Sequence, residues 1–287
     1  MHAPAIRPRS AIEIVDAAFS LYRDNFKTMA VIGLAASAPF VAAIIAGVGI
    51  FGAMRNPQAF INSPLTMLPG VIGFGLLMIL WMAVVDGAMT FAAAEAYHGR
   101  NPTPGDALRG AAAKGVSLVG GNLLRILIIA SVGAIAAVGI AIASSVNRGV
   151  AVLIAVAVGV LAVHLLARTF AITSAIVIEN QSASEGVTRS FFLSQNATAR
   201  IVGIAFLCLV IYWIANVVSA MVVQMAITLV VKNPVVAAVA GNLAGMIIYP
   251  FLNIAIMVLY YDQRVRKEGY DIDLMTSAIP STAVPPS

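Results

Sequence analysis

The chain has 287 residues, of which 61% are apolar and only 10% charged, and its mean hydropathy is +0.96. Soluble domains carry about 25% charged residues, so too few ionic side chains exist here to coat a globule, which excludes a soluble enzyme and leaves a polytopic membrane protein. Seventeen Lys and Arg against twelve Asp and Glu give +5 and a pI near 9.6. In a membrane protein that balance points to basic residues held on the cytoplasmic side, facing anionic headgroups, rather than to nucleic acid. A single cysteine, Cys208, rules out an intrachain disulfide and a thiolate metal cluster.

The start, MHAPAIRPRS, is basic but runs into an amphipathic stretch instead of a short apolar core, so no cleavable signal peptide is expected. Ser10-x-x-Glu13 reads as a capping box that opens a helix. Ile12, Val15, Phe19, Tyr22 and Phe26 then recur at steps of three and four, with Glu13, Asp16, Arg23, Asp24 and Lys27 on other faces. This stripe predicts an interfacial helix whose apolar face lies in the headgroup boundary or against the bundle. Packing on its own protein is the plain reading, and lipid sensing or partner docking the alternative.

Six stretches are long and apolar enough to cross a hydrocarbon core, near Met29–Ala53, Gly70–Ala94, Leu123–Ser144, Val150–Phe170, Ile201–Val231 and Val235–Tyr261. Arg55, Arg148 and Lys232 are the only basic residues in three short loops on one side. The positive-inside rule therefore places both termini in the cytoplasm. Three segments of that side share a helix-start signature: Ser10-x-x-Glu13, Thr103-x-x-Asp106 and Ser182-x-x-Glu185. Asp106 is too short to complete the box but still favours the positive helix end. An acid closes each following hairpin: Glu95, Glu179 and Asp262, nearly evenly spaced. The expectation is an all-α bundle of six transmembrane helices in three hairpins, each preceded by a cytoplasmic interfacial helix. Residues 1–275 form one integral membrane domain with repeat-like units at about 10–95, 103–179 and 182–262, followed by a disordered Pro/Ser/Thr/Ala-rich tail, 276–287.

Several runs resemble a known family. They are Arg7-Pro8-Arg9-Ser10 with Glu13, Ala18-Phe19 and Leu21 to Phe26; Ala167-Arg168, Glu179, Thr188-Arg189-Ser190 and Arg200; and Leu259 to Asp271, LYYDQRVRKEGYD. Together they resemble the bacterial membrane proteins named for the glycerophosphoryl diester phosphodiesterase membrane domain, over roughly residues 7–275, with the last run the most specific. The resemblance implies a six-helix module of the bacterial cytoplasmic (inner) membrane. Some relatives join it to a soluble phosphodiesterase barrel, for which this chain has no room, so the family name is not carried over as an activity.

Other motifs weigh little. Gly47-Val48-Gly49-Ile50-Phe51-Gly52 fits a dinucleotide-loop expression but closes a membrane span instead of linking a strand to a helix. Gly241-x-x-x-Gly245 and Gly133-x-x-x-Ala137 read as close-packing helix faces. His2, His98 and His164 have no ligand spacing, so no metal and no cofactor is expected. Tyr249-Pro250 should kink the last span. Asn196-x-Thr198 falls on the cytoplasmic side, where a glycosylation sequon is silent.

Polar groups inside the spans are the informative ones. Counted back from Glu95, Glu179 and Asp262, the residues Asp86, Arg168 and Asn253 lie roughly 13–17 Å deep at 1.5 Å per residue, with His164 one turn beyond Arg168. A lone charge there costs about 2.5–3.5 kcal/mol on insertion scales. An Asp86–Arg168 ion pair flanked by His164 and Asn253 is therefore expected, as a register-fixing contact or as part of a transport pathway; the alternative is snorkelling to the interface. The functional expectation is a non-catalytic scaffold, accessory or envelope-homeostasis protein that engages membrane lipid, anionic headgroups above all, or a membrane-protein partner. The alternative is a small-solute or lipid transporter built around Asp86 and Arg168, and a lipid-processing enzyme is a lesser one.

Overall fold

The computed structural model describes residues 7–46 and 64–269. They form twelve helices: α1 (Ala11–Asp24), α2 (Phe26–Ala36), α3 (Ala38–Ala46), α4 (Pro64–Tyr97), α5 (Pro104–Ala113), α6 (Gly115–Val146), α7 (Arg148–Arg168), α8 (Ile172–Glu179), α9 (Ala183–Ser194), α10 (Thr198–Val231), α11 (Pro234–Ile248) and α12 (Pro250–Glu268). No strand occurs among the described residues. Five helical stretches are long and apolar enough to cross a membrane: Leu68–Tyr97, Gly115–Val146, Arg148–Glu179, Thr198–Val231 and Val236–Glu268. The chain is thus an all-helical, multi-pass membrane protein by helix length and composition.

Five spans among the described residues is one fewer than the sequence predicts. The first expected span, Met29–Ala53, is seen as α2 and α3 broken at Ser37, and its last residues, with the Gly47–Gly52 motif, lie outside the described residues. Proline causes the break. Pro39 has no N–H for the carbonyl of Ala35, and the indole Nε1 of Trp81 donates to that oxygen instead at 3.0 Å. Ser37 Oγ donates to the Leu34 carbonyl at 2.6 Å.

Three short helices begin where the caps predict. Ser10 with Glu13 and Ser182 with Glu185 form complete capping boxes on α1 and α9, and the Thr103 hydroxyl accepts from Asp106 N on α5. The Glu13 carboxyl is held down at about 2, first by the Ser10 backbone N–H and then by the Ser10 hydroxyl and Arg7. α5 and α9 each lead directly into a much longer helix, α6 and α10, and α1 leads into α2. Asn147 turns α6 into α7, its side chain accepting from Gly149 N at 2.7 Å, and these two helices pack together, as do α10 and α11.

The stripe of α1 divides between its two expected settings. Ile14, Ala18 and Leu21 are the residues buried against the bundle. Of the predicted stripe, Val15 and Tyr22 are partly buried against the core, whereas Ile12, Phe19 and Phe26 point outward, 76%, 57% and 50% exposed. Three of the five stripe residues thus form an outer surface, and a neighbouring face of the same helix does most of the packing.

Burial is concentrated at one end. Half of the most apolar window of Val236–Glu268 is buried, against 11–17% in the other four spans, so α12 is the central element. Phe251, Ile254, Met257, Leu259, Tyr260 and Tyr261 all lie inside. Further along, α6, α7 and α10 display Ile135, Leu153 and Val230, an apolar surface whose natural solvent is lipid.

The junction of α11 and α12 is the predicted kink. Pro250 cannot donate to Met246 O, and Gly33 of α2 lies against that oxygen so closely that a Cβ there would sit 2.3 Å away. The adjacent carbonyl, Ile247 O, accepts the Tyr22 hydroxyl at 2.8 Å. Gly241 and Gly245 behave as expected: a Cβ at either would meet Ala220 O at 3.0 Å or Asn216 Nδ2 at 2.5 Å. Gly133 has nothing within 4 Å, so the Gly133/Ala137 pattern is not a packing face here.

Gly33→Ala is expected to destabilise the fold by about 1–3 kcal/mol, because the new methyl overpacks against backbone. Gly73→Ala, whose Cβ meets nothing within 4 Å, should leave the protein unchanged. Thermal unfolding in one detergent compares the two, and equal melting temperatures would contradict the account of the kink.

Candidate functional site

The charged residues gather where α4, α8 and α12 end. Asp262 has a side chain 0% exposed. Its Oδ1 accepts Arg9 N at 2.7 Å, Arg200 donates to Oδ2, and Arg266 Nε reaches Oδ2 at 3.0 Å from one helical turn on. The same two guanidiniums also donate to the Arg9 carbonyl, at 2.6 and 2.9 Å. One carboxylate and one peptide unit thereby clip the N-terminal segment, α10 and α12 together.

Glu179 closes α8, with Asn180 in the left-handed region at φ 57°. Arg189 of α9 binds it through two parallel bonds of 2.8 Å and also grips Glu268. Arg264 lies 3.3 Å from both carboxylates, and the Tyr260 hydroxyl donates to Glu179 Oε1. Burial works against the Arg189 charge, but Glu268 and Glu179 more than offset it and hold the guanidinium above its ordinary pKa. Glu95, near the end of α4, pairs with Arg100 through two bonds, one of 2.7 Å. This pair is open to water, with side chains 28% and 60% exposed. Beside it, His98 Nε2 shares a 3.1 Å hydrogen bond with the Tyr261 hydroxyl, and Tyr261 stacks on Tyr97 at 4.9 Å. Burial first, and then Arg100, lowers the His98 pKa from its ordinary 6.5.

The three acids read from the sequence as boundary markers thus each take an arginine at one end of the molecule. Glu95 and Glu179 share a cavity of about 380 Å³, lined also by His98, Arg100, Tyr261 and Arg264. Their partners were not predicted as site residues. For Arg264 and Arg266 the signal was the helical spacing in the run Tyr260 to Glu268, where Asp262 with Arg266 and Arg264 with Glu268 are i,i+4 pairs; Arg100, Arg189 and Arg200 had no such signal.

Comparison with family models, curated proteins and solved structures finds no match. Among the described residues no group of three or more His, Cys, Asp or Glu could hold a metal ion.

The expected Asp86–Arg168 pair is not formed. Asp86 Oδ1 accepts the Tyr249 hydroxyl at 2.7 Å, at the kink before α12. Asn253 lies beside both groups, and Arg125 of α6 is the cation that acts on Asp86. Asn253 Nδ2 also contacts Met89 Sδ at 3.3 Å. Arg168 ends α7, and its guanidinium stacks 4.7 Å above the Phe191 ring of α9. The physical reason is the break at Thr169–Ala171, where Ser190 Oγ takes the Arg168 carbonyl and Ala171 N donates to that hydroxyl. Arg168 therefore meets an interfacial helix, while His164 is exposed on the outside of α7.

Two outcomes follow. Asp262→Asn leaves Arg200 and Arg266 without their counter-charge and should destabilise the protein by about 2–3 kcal/mol; this is less than a fully enclosed pair loses, because both guanidiniums keep some contact with water. Equilibrium unfolding in detergent measures it. Because the folded state holds His98 below 6.5, the unfolded chain binds more protons as pH falls through that value, so stability drops on acidification and rises toward neutrality. Melting temperatures at about pH 5.5 and 7.5 should differ less in His98→Gln than in the parent, and an unchanged difference would rule His98 out as the source.

Proposed function

We propose that the chain is a non-catalytic multi-pass membrane module, a scaffold or accessory protein that engages lipid, or a membrane partner, at its charged end. The observation that carries this reading is the mutual locking of ionic side chains there: Asp262, Glu179 and Glu268 hold the N-terminal segment, α9, α10 and α12 in one arrangement. Such a lattice suits a rigid platform better than a moving gate. The outward Ile12, Phe19 and Phe26 beside it suit an interfacial face.

Within this reading the fold has six spans in three hairpins. End to end, residues 26–46 cover about 30 Å, enough for α2 with α3 to be the first span. The matching caps on α1, α5 and α9 support three related units. The charged end faces the cytoplasm of a bacterial inner membrane, in keeping with the basic balance and with the resemblance to the glycerophosphoryl diester phosphodiesterase membrane domain. A second reading, transport of a small solute or lipid, is favoured by one contact: Asp86 bonded to Tyr249 at the α11–α12 kink, since interrupted helices line many transporter sites.

Purification in mild detergent, followed by mass spectrometry of retained lipids and proteins, separates the two. The scaffold reading expects lipid and a partner to be retained, the partner to be lost when Phe19 and Phe26 are both changed to serine, and Asp86→Asn to keep both. Solute flux in proteoliposomes that Asp86→Asn abolishes without unfolding would replace scaffolding by transport.

A further inference from the structure

The cavity between the Glu95–Arg100 pair and the Glu179–Arg264 contact has a charge pattern that selects among lipid headgroups. This inference rests on the lipid-engaging reading and names its ligand. The cavity lies where three apolar spans end, which is headgroup depth. Phe91 and Ile178 add an apolar wall for a glycerol backbone. Its formal charges balance: two carboxylates, Glu95 and Glu179, face two guanidiniums, Arg100 and Arg264.

The two pairs are not equivalent. Glu179 is held by Arg189 and Tyr260 as well as Arg264, with side chains of 16–17% exposure in the Arg189 pair. Glu95 and Arg100 are tied mainly to each other and are open to water, where an ion pair contributes little and opens readily. A ligand that enters must part them. A purely anionic headgroup would take Arg100 and strand Glu95, and a purely cationic one would do the reverse. A zwitterion leaves every charge with a partner.

The acceptors further select the cation. Glu95 offers carboxylate oxygens, and α4 and α8 end here with the negative poles of their dipoles. A terminal carbonyl of α8, Val177 O, already accepts the Lys114 ammonium at 2.6 Å. Such acceptors reward a cation that carries N–H groups. We propose that this cavity binds a phosphate–primary ammonium headgroup, as in phosphatidylethanolamine, with the phosphate on Arg100, the ammonium on Glu95, and the His98–Tyr261 pair as neutral hydrogen-bonding wall.

The test is native mass spectrometry of the full chain in detergent, offered equal amounts of phosphatidylethanolamine, phosphatidylcholine and phosphatidylglycerol. The expected result is about tenfold preferential retention of phosphatidylethanolamine over either competitor, the equivalent of about 1.4 kcal/mol. Glu95→Gln and Arg100→Gln should each bring the preference close to parity while melting as the parent does, since both side chains belong to the water-exposed pair. Free glycerophosphoethanolamine is a separate arm: displacement of the bound lipid by it makes the soluble headgroup the ligand, and failure to displace makes the membrane lipid the ligand, the headgroup chemistry standing in both cases. Phosphatidylglycerol or phosphatidylcholine retained as well as phosphatidylethanolamine, or a preference that both variants preserve, overturns the assignment and leaves the lipid-engaging reading in place. Retention of no lipid of any class overturns both.

Discussion

A carboxylate withdrawn from water must be neutralised by its own protein, and Asp262 sets that condition for this molecule. Its desolvation is offset only if Arg200, Arg266 and the Arg9 amide all reach it. That requirement fixes where the N-terminal segment crosses α12 and where α10 begins. It also sets the rotation of α12, and with it the positions of Tyr260 and Tyr261, one bonded to Glu179 and the other to His98. The cavity beside Glu95 takes its shape from these neighbours. A single buried charge thus propagates through packed side chains to an open, exchangeable ion pair.

The rest of the fold divides its surface by solvent. At the charged end, the acids pair with arginines, some buried and some facing water. Away from it, α6, α7 and α10 keep their apolar side chains outward, and the helices meet through small residues such as Gly241 and Gly245, as expected where lipid competes equally for apolar surface. Proline is accommodated by the same economy. Trp81 takes the oxygen freed by Pro39, and Tyr22 donates to the oxygen next to the one freed by Pro250, so side chains supply hydrogen bonds at both interruptions.

Composition and periodicity made much of this legible. The helix caps at Ser10, Thr103 and Ser182 depend on local geometry alone and form as expected. The recurrence of Glu95, Glu179 and Asp262 marked the charged end, where each acid takes an arginine. What could not be read was partnership. Asp86 and Arg168 were matched by depth along ideal helices, but the interruption at Thr169–Ala171 brings Arg168 to Phe191, and a tyrosine takes its place at Asp86. Which residues of α1 meet the bundle was illegible for a related reason. Small residues such as Ala18 carry little hydrophobic weight in a periodic pattern, yet they permit the closest helix approach, so the large side chains of Phe19 and Phe26 were left outside.

Arg9 and Asp262 stand 253 positions apart in the chain. A ribosome therefore delivers the first member of this clasp long before the second, and the segment around Arg9 has to wait at the membrane surface while every intervening helix is threaded and folded. Closure of the clasp is then a final event in biogenesis, and a molecule arrested before α12 would lack the carboxylate that joins the Arg9 peptide unit to the Arg200 guanidinium.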